Sequence, residues 1–97
     1  MSTATPRDIA DDSVPRLPRG VRLTDSPAQG GMVLLAPERV FKPDAIALAI
    51  LQRCDGTATV AAIADALAAE YNAPRERVLG DIKVLLGLLA DKQLLEL

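Results

Sequence analysis

Histidine and tryptophan are absent from this 97-residue sequence, and cysteine, tyrosine and phenylalanine occur once each. Without histidine the chain has no imidazole to bind a metal or to act as a general base near neutral pH. A single cysteine excludes a disulfide within the chain. With so few aromatic residues, a buried core has to be built from aliphatic side chains. These absences argue against an enzyme and against a metal site.

The chain also lacks an excess of basic charge and a long apolar run. Eleven basic and thirteen acidic residues leave a net charge of −2, whereas nucleic-acid binding relies mainly on Lys and Arg that neutralise phosphates. No run approaches the roughly 20 apolar residues that a membrane-spanning helix needs. The N-terminus has no apolar region of the signal-peptide kind. We therefore predict a cytoplasmic protein with no nucleic-acid or membrane partner.

The composition changes at about residue 20. Residues 1–19 contain three of the seven prolines, few large apolar side chains, and arginine and aspartate charges that cancel. Such a segment buries too little apolar surface to offset the entropy lost on ordering. We predict a disordered N-terminal tail at 1–19 and one folded domain at 20–97.

Residues 21–42 read as three strands. VRLTD alternates apolar and polar side chains, MVLLA is apolar on both faces, and RVFK at 39–42 follows after a short interval. The turn-forming stretches SPAQGG and PE separate them. Short turns predict an antiparallel meander, in which 39–42 is an edge strand.

Three helical segments follow Pro43, so we predict an α+β fold in which a three-stranded antiparallel sheet precedes three helices. The first helix covers about 44–54 with Asp44 as its N-cap, and the second follows a cap at Thr59. The third runs from about Arg75 to Asp91, and its predicted core positions are Val78, Ile82, Leu85 and Leu89. Leucines 79, 86 and 88 widen this stripe beyond what one packed face needs.

Cys54 lies between charged residues in the sequence RCDG, where a reactive thiol is one interpretation. Gly56 suits the end of a helix, whereas a helix N-terminus and a nearby base are what activate a thiol. We therefore predict that Cys54 is buried at the end of the first helix and unreactive.

Two surfaces of the predicted fold lack a partner. An edge strand at 39–42 has unpaired backbone donors and acceptors, and the third helix has leucine to spare. If the two lie side by side, they frame a groove that binds an extended peptide by strand addition. Coverage by a second copy in a homodimer, or use of all the leucines in helix packing, explains the pattern equally well.

The stretch LLAPERVFKPDAIALAILQRCDG, followed by a helix beginning TVAAIADAL, resembles the PqqD family of pyrroloquinoline quinone (PQQ) biosynthesis over about residues 18–95. The resemblance implies a small winged-helix-like domain that is not an enzyme and that recognises a ribosomally made peptide. It also implies a chaperone that holds the precursor peptide PqqA and presents it to the radical S-adenosylmethionine enzyme PqqE. In related recognition elements the peptide adds beside the third strand, against the third helix.

The predicted peptide-binding residues lie on these two elements. Val40 and Phe41 point to opposite faces of the strand, and the sequence does not tell which faces the helices. On the third helix, Leu79, Lys83 and Leu86 share a face by their spacing, and two arginines precede them. The whole predicted set is Arg39, Val40, Phe41, Lys42, Arg75, Arg77, Leu79, Lys83 and Leu86.

A DNA-binding winged-helix regulator is the alternative function, because the second and third helices and the turn between them have the outline of a helix-turn-helix. Residues 75–92 carry four basic and three acidic side chains, a balance that does not favour phosphate binding. Steeply salt-dependent binding to duplex DNA would support this alternative over peptide binding.

Overall fold

The computed structural model describes residues 9–97, and in this part of the chain a three-stranded sheet precedes three α-helices, which confirms the predicted α+β fold. The strands are β1 (Arg22–Ser26), β2 (Gly31–Ala36) and β3 (Arg39–Phe41). A single turn of 3-10 helix, Pro27–Gln29, connects the first two strands. The helices are α1 (Ala45–Leu51), α2 (Val60–Tyr71) and α3 (Arg75–Asp91).

The central strand is β2, which pairs antiparallel with β1 on one side and with β3 on the other. Leu34 lies opposite Leu23 of β1 and Phe41 of β3, so the three side chains share one face of the sheet. That face packs against the helices, and Leu34 is fully buried there. The meander thus leaves β1 and β3 as the edges of the described sheet, as predicted.

The first two helices begin at the predicted caps. The Asp44 carboxylate accepts a hydrogen bond from the backbone N–H of Ala47 at 2.8 Å, and the Thr59 hydroxyl accepts one from Ala62 at 3.0 Å. Each such cap is worth about 1 kcal/mol of stability, because it satisfies an amide that has no partner within its helix. Asn72, with φ of 51°, ends α2 in the left-handed conformation.

The buried stripe of α3 differs from the predicted one. Ile82 and Leu89 are buried as predicted, but the positions between them on the packed face are Leu79 and Leu86. Val78 and Leu85 lie at the margin of the core and are partly exposed. Both stripes have helical periodicity, and the choice between them depends on the rotation of α3 against α2. The expectation that Leu79 and Leu86 lie outside the core stripe is therefore corrected.

Residues 9–18 pack against the helices, in contrast to the disordered tail that the composition predicts. Ile9 is only 3% exposed and belongs to the hydrophobic core. The backbone carbonyls of Asp11 and Ser13 accept hydrogen bonds from the first two amides of α2, at 2.9 and 2.8 Å. These amides have no partner within α2 itself, so the segment satisfies groups that would otherwise need water. Residues 1–8 of the predicted tail lie outside the described residues.

The same segment joins the two ends of the domain. Arg16 exchanges two backbone hydrogen bonds with Glu96, each 2.9 Å long, and their side chains form an ion pair. Pro15 is buried, and its carbonyl accepts a hydrogen bond from Gly56 in the connection between α1 and α2. Residues 9–16 therefore hold together three parts of the domain: the loop between α1 and α2, the start of α2 and the C-terminus.

Cys54 is buried, as predicted, but it lies three residues beyond the end of α1 at Leu51 rather than in the last turn of that helix. Its thiol donates a hydrogen bond to the carbonyl oxygen of Ile50 at 3.3 Å. Burial raises the pKa of the Cys54 thiol to about 12, and the negative charge of Asp55 adds to the rise. A thiol that keeps its proton at neutral pH is a poor nucleophile, so the structural interpretation of this cysteine holds.

The raised pKa of Cys54 predicts a loss of stability at alkaline pH. The unfolded thiol ionises near its ordinary pKa of 9.0, whereas the folded thiol keeps its proton up to about 12. This contribution is therefore complete below pH 9 and is lost progressively between pH 9 and 12. At pH 10 the loss is about 1 kcal/mol. Urea unfolding at pH 8 and pH 10 should show a larger loss for the native sequence than for Cys54→Ala; equal losses would contradict the prediction.

Candidate functional site

One side of the β3 backbone has no partner strand among residues 9–97. Ala36 and Arg39 close the two-residue turn between β2 and β3, and the closing pair of such a hairpin exchanges hydrogen bonds. Pairs along an antiparallel ladder alternate between bonded and non-bonded. Val40 and Leu35 therefore form a pair without hydrogen bonds between them, so the N–H and C=O of Val40 point away from β2. Val40 thus offers a donor and an acceptor to an added strand.

The side chains of this edge divide between the two faces of the sheet. Phe41 is partly buried and packs against the core, whereas Val40 is 50% exposed on the opposite face. Phe41 is thus the residue that faces the helices. Arg39 and Lys42 flank the pair and are exposed, and neither has an ion-pair partner among residues 9–97.

One flank of α3 is partly covered by ion pairs with other parts of the chain. The Arg75 guanidinium pairs with Asp65 of α2, and this carboxylate raises the pKa of Arg75. The Lys83 ammonium lies 2.6 Å from the Asp11 carboxylate and lowers the pKa of that group. Four of the predicted site residues lie on this flank or in the core beside it: Arg75, Leu79, Lys83 and Leu86. The structure does not present these four as a free surface.

The opposite flank of α3 is the apolar surface that the chain leaves open. At about 100° per residue, Val78, Asp81, Leu85 and Leu88 project from the other side of the buried stripe. Leu88 is 55% exposed, and so is Val84 next to this flank. Val78 and Leu85 border the same core cluster that Phe41 of β3 borders.

Of the predicted site, Arg77 and the strand residues other than the partly buried Phe41 are exposed, while the four remaining helix residues lie on the partly covered flank or in the core. The open flank of Val78, Asp81, Leu85 and Leu88 was not predicted from the sequence pattern, which indicated core positions for Val78 and Leu85. The one signal for that flank was the surplus of leucine in α3. Leucine content alone does not tell which side of the helix is packed, because both sides carry leucine at helical spacing.

The described residues show neither metal-binding nor membrane-spanning features. Between residues 9 and 97, no three or more Cys, Asp or Glu side chains are grouped so that they could hold a metal ion. None of the helices in the described part of the chain has the length and apolar character required to cross a bilayer.

Comparisons with known proteins agree on one family. The model of the family described as coenzyme PQQ synthesis protein D (PqqD) matches residues 31–95. A curated PqqA binding protein of Rhodopseudomonas palustris (strain ATCC BAA-98 / CGA009) is 49% identical over 84 residues, which cover 87% of this chain and 82% of the relative. The bifunctional coenzyme PQQ synthesis protein C/D of Methylorubrum extorquens is 44% identical over 95 residues, which cover 98% of this chain and 26% of the relative.

Two solved structures are similar to this fold. One is the solution NMR structure of the PqqD truncation of Methylobacterium extorquens PqqCD, described as a functional, stand-alone recognition element for ribosomally synthesised and modified peptides. It has a TM-score of 0.80 and 43% identity, and the match covers 95% of this chain and 98% of that one. The crystal structure of PqqD from Xanthomonas campestris has a TM-score of 0.59 and 47% identity, over 93% and 100% of the two chains. With the family model and these relatives in agreement over most of its length, this chain belongs to the PqqD family.

Proposed function

We propose that this chain binds the precursor peptide PqqA by strand addition to β3 and presents it to the radical S-adenosylmethionine enzyme PqqE. The observation that carries the proposal is the open edge at Val40, in a chain that is 49% identical to a PqqA binding protein. The relatives' names support the ligand, and the edge supports the mode of binding.

In this mode the peptide extends the sheet by one strand. Its backbone bonds to the N–H and C=O of Val40, and its side chains alternate between the two faces. One set lies on the same side as Phe41 and the α3 flank of Val78 and Leu85, where apolar residues border the core. The other set lies beside the half-exposed side chain of Val40.

A useful affinity requires several favourable contacts together. A micromolar dissociation constant corresponds to about 8 kcal/mol of net binding free energy. Each well-buried apolar side chain contributes about 1.5–3 kcal/mol, and each net backbone hydrogen bond about 1 kcal/mol. Several apolar anchors and a short ladder are needed, because ordering a flexible peptide costs several kcal/mol.

The charges of α3 favour peptide over DNA. A recognition helix that binds phosphates needs free cations. In α3, Arg75 and Lys83 are each paired with a carboxylate of this chain. The helix therefore presents less positive charge than its sequence contains.

An amide NMR titration of the labelled chain with synthetic PqqA tests the proposal. We expect the largest shift changes at residues 39–42, whose backbone pairs with the added strand, and along the α3 flank from Val78 to Leu88, because Val78 and Leu85 border the same core cluster as Phe41. The amides of β1, at the other edge of the sheet, serve as the internal control. Changes confined to α2 and the N-terminal segment, with β3 unaffected, would contradict strand addition.

A further inference from the structure

A second open apolar surface lies where α1, α2 and α3 meet. It is a pocket of about 250 Å³. Ile46 and Ile50 of α1 line one side, and Leu67 and Tyr71 of α2 line another. Ile50 and Leu67 form part of the buried core, so the floor of the pocket consists of core side chains.

The mouth of the pocket exposes apolar surface that folding leaves uncovered. Ile46 is 52% exposed and Tyr71 is 49% exposed. The third side is the open flank of α3, with Val78 and Ile82 toward the floor and Arg77 at the edge. Large apolar side chains that stay half exposed on separate elements around one concavity indicate a binding surface.

The size of the pocket suits a side chain better than a free small molecule. Sites that enclose drug-sized ligands or cofactors occupy roughly 300–1,000 Å³. At about 250 Å³ this pocket falls below that range. Its lining is largely aliphatic, so the group that it suits is a large apolar side chain, aliphatic or aromatic.

The charge at the rim of the pocket indicates what flanks that side chain. Arg75 and Lys83, on the covered flank of α3, are both paired with carboxylates. Arg77, on the rim, is exposed and has no ion-pair partner within residues 9–97. Asp81 lies one helical turn further along the rim. A carboxylate of the ligand therefore fits beside Arg77, at the end of the pocket away from Asp81.

The chain connects this pocket closely to the open strand edge. β3 ends at Phe41 and α1 begins at Ala45. Ile46 is thus five residues from the end of the strand, a span of at most about 18 Å even if fully extended. A peptide that pairs with β3 and continues past Lys42 reaches the pocket with a few more residues.

We propose that this pocket binds one large apolar side chain of the peptide, and that an acidic residue next to that side chain pairs with Arg77. The inference rests on the proposed function, since the occupant is a second part of the same peptide. The pocket would give the peptide an anchor outside the added strand, and together with Arg77 it would select for an apolar residue beside an acidic one.

Filling the pocket tests the apolar anchor. Ala73 lines it from the turn between α2 and α3, and Ala73→Leu places a larger side chain there. We expect the affinity for synthetic PqqA, measured by calorimetry, to fall about tenfold. Ala69→Leu, an exposed position of α2 outside the pocket, is the matched control and should leave the affinity unchanged. Amide spectra of both variants establish that the fold is retained.

Reversing the rim charge tests the acidic contact. Arg77→Glu should weaken binding of the unaltered peptide about tenfold. In a series of peptides that each have one acidic residue replaced by its amide, the loss should be smaller for the peptide that lacks the carboxylate paired with Arg77. Lys92→Glu, just after α3 and outside the pocket, is the control. Equal loss of affinity for every one of these peptides would overturn the proposed contact with Arg77.

The outcomes also separate this inference from the proposed function. If Val40→Pro weakens binding and Ala73→Leu does not, the pocket proposal is overturned while strand addition stands. If neither variant weakens binding, both fail. If Ala73→Leu leaves peptide affinity intact and instead reduces self-association in sedimentation, the pocket is a contact between copies of this chain and the proposal is overturned.

Discussion

Replacing Leu86 by alanine is expected to lower the free energy of unfolding by about 2–5 kcal/mol. Leu86 is fully buried in the core stripe of α3, so truncation removes apolar contacts and leaves a cavity. A small domain has only about 5–15 kcal/mol of stability in all. The variant should therefore unfold at a markedly lower urea concentration, as followed by circular dichroism.

The control for Leu86 is Leu88 on the same helix. Leu88 is 55% exposed, so Leu88→Ala should change stability by only about 0.5 kcal/mol. The pair tests the rotation of α3. Similar losses for the two variants, or a larger loss for Leu88→Ala, would contradict the rotation of α3 described above.

Replacing Val40 by proline is expected to weaken PqqA binding at least tenfold while the domain stays folded. Proline removes the N–H that faces away from β2, and its ring stands where an added strand would lie. Because Val40 is at a non-bonded pair, no hydrogen bond within the sheet is lost. Calorimetric titration with PqqA measures the affinity, and urea unfolding measures the stability.

Two further variants show whether the backbone of Val40 is responsible. Val40→Ala shortens the side chain and keeps the N–H, so its affinity should stay closer to that of the native sequence. Phe41→Pro removes an N–H that bonds to β2 and should lower stability instead. If proline at 40 proves destabilising, an amide-to-ester replacement at this residue removes the same donor with less strain. If neither Val40→Pro nor the ester at residue 40 changes the affinity for PqqA, strand addition at β3 is ruled out.

The same substitution tests presentation to PqqE. If the chain delivers PqqA to that enzyme, adding it should raise the rate at which PqqE modifies the peptide, and Val40→Pro should remove most of the increase. A rate increase that survives the substitution would mean that delivery does not depend on the β3 edge.

Much of the fold could be predicted from local patterns. The strand alternation, the turn residues and the caps at Asp44 and Thr59 act within a few residues of one another, and the structure contains all of them. The burial of Cys54 was also predicted, although the residue lies three positions after the end of α1. Of the candidate site, the edge strand β3 was predictable for the same reason, because a meander with short turns leaves its last strand unpaired on one side.

The rotation of α3 and the order of residues 9–18 were not predictable in this way. Two stripes of α3 have equally good helical spacing, and the packing against α2 decides in favour of Leu79 and Leu86. The N-terminal segment is ordered by Ile9 in the core and by bonds to α2 and to Glu96, contacts between residues far apart in the chain.

The order of the elements, the caps that start α1 and α2, and the open strand edge follow from the sequence, because each depends on the conformational preferences of neighbouring residues; α1 nevertheless ends at Leu51, before the predicted end at about residue 54. Which flank of α3 stays free depends instead on contacts between residues far apart in the chain. Asp65 and Asp11 approach Arg75 and Lys83 from other parts of the chain and pair with them along one side of the helix. That pairing leaves Val78, Leu85 and Leu88 as the apolar surface next to the core, and no pattern within α3 contains this information.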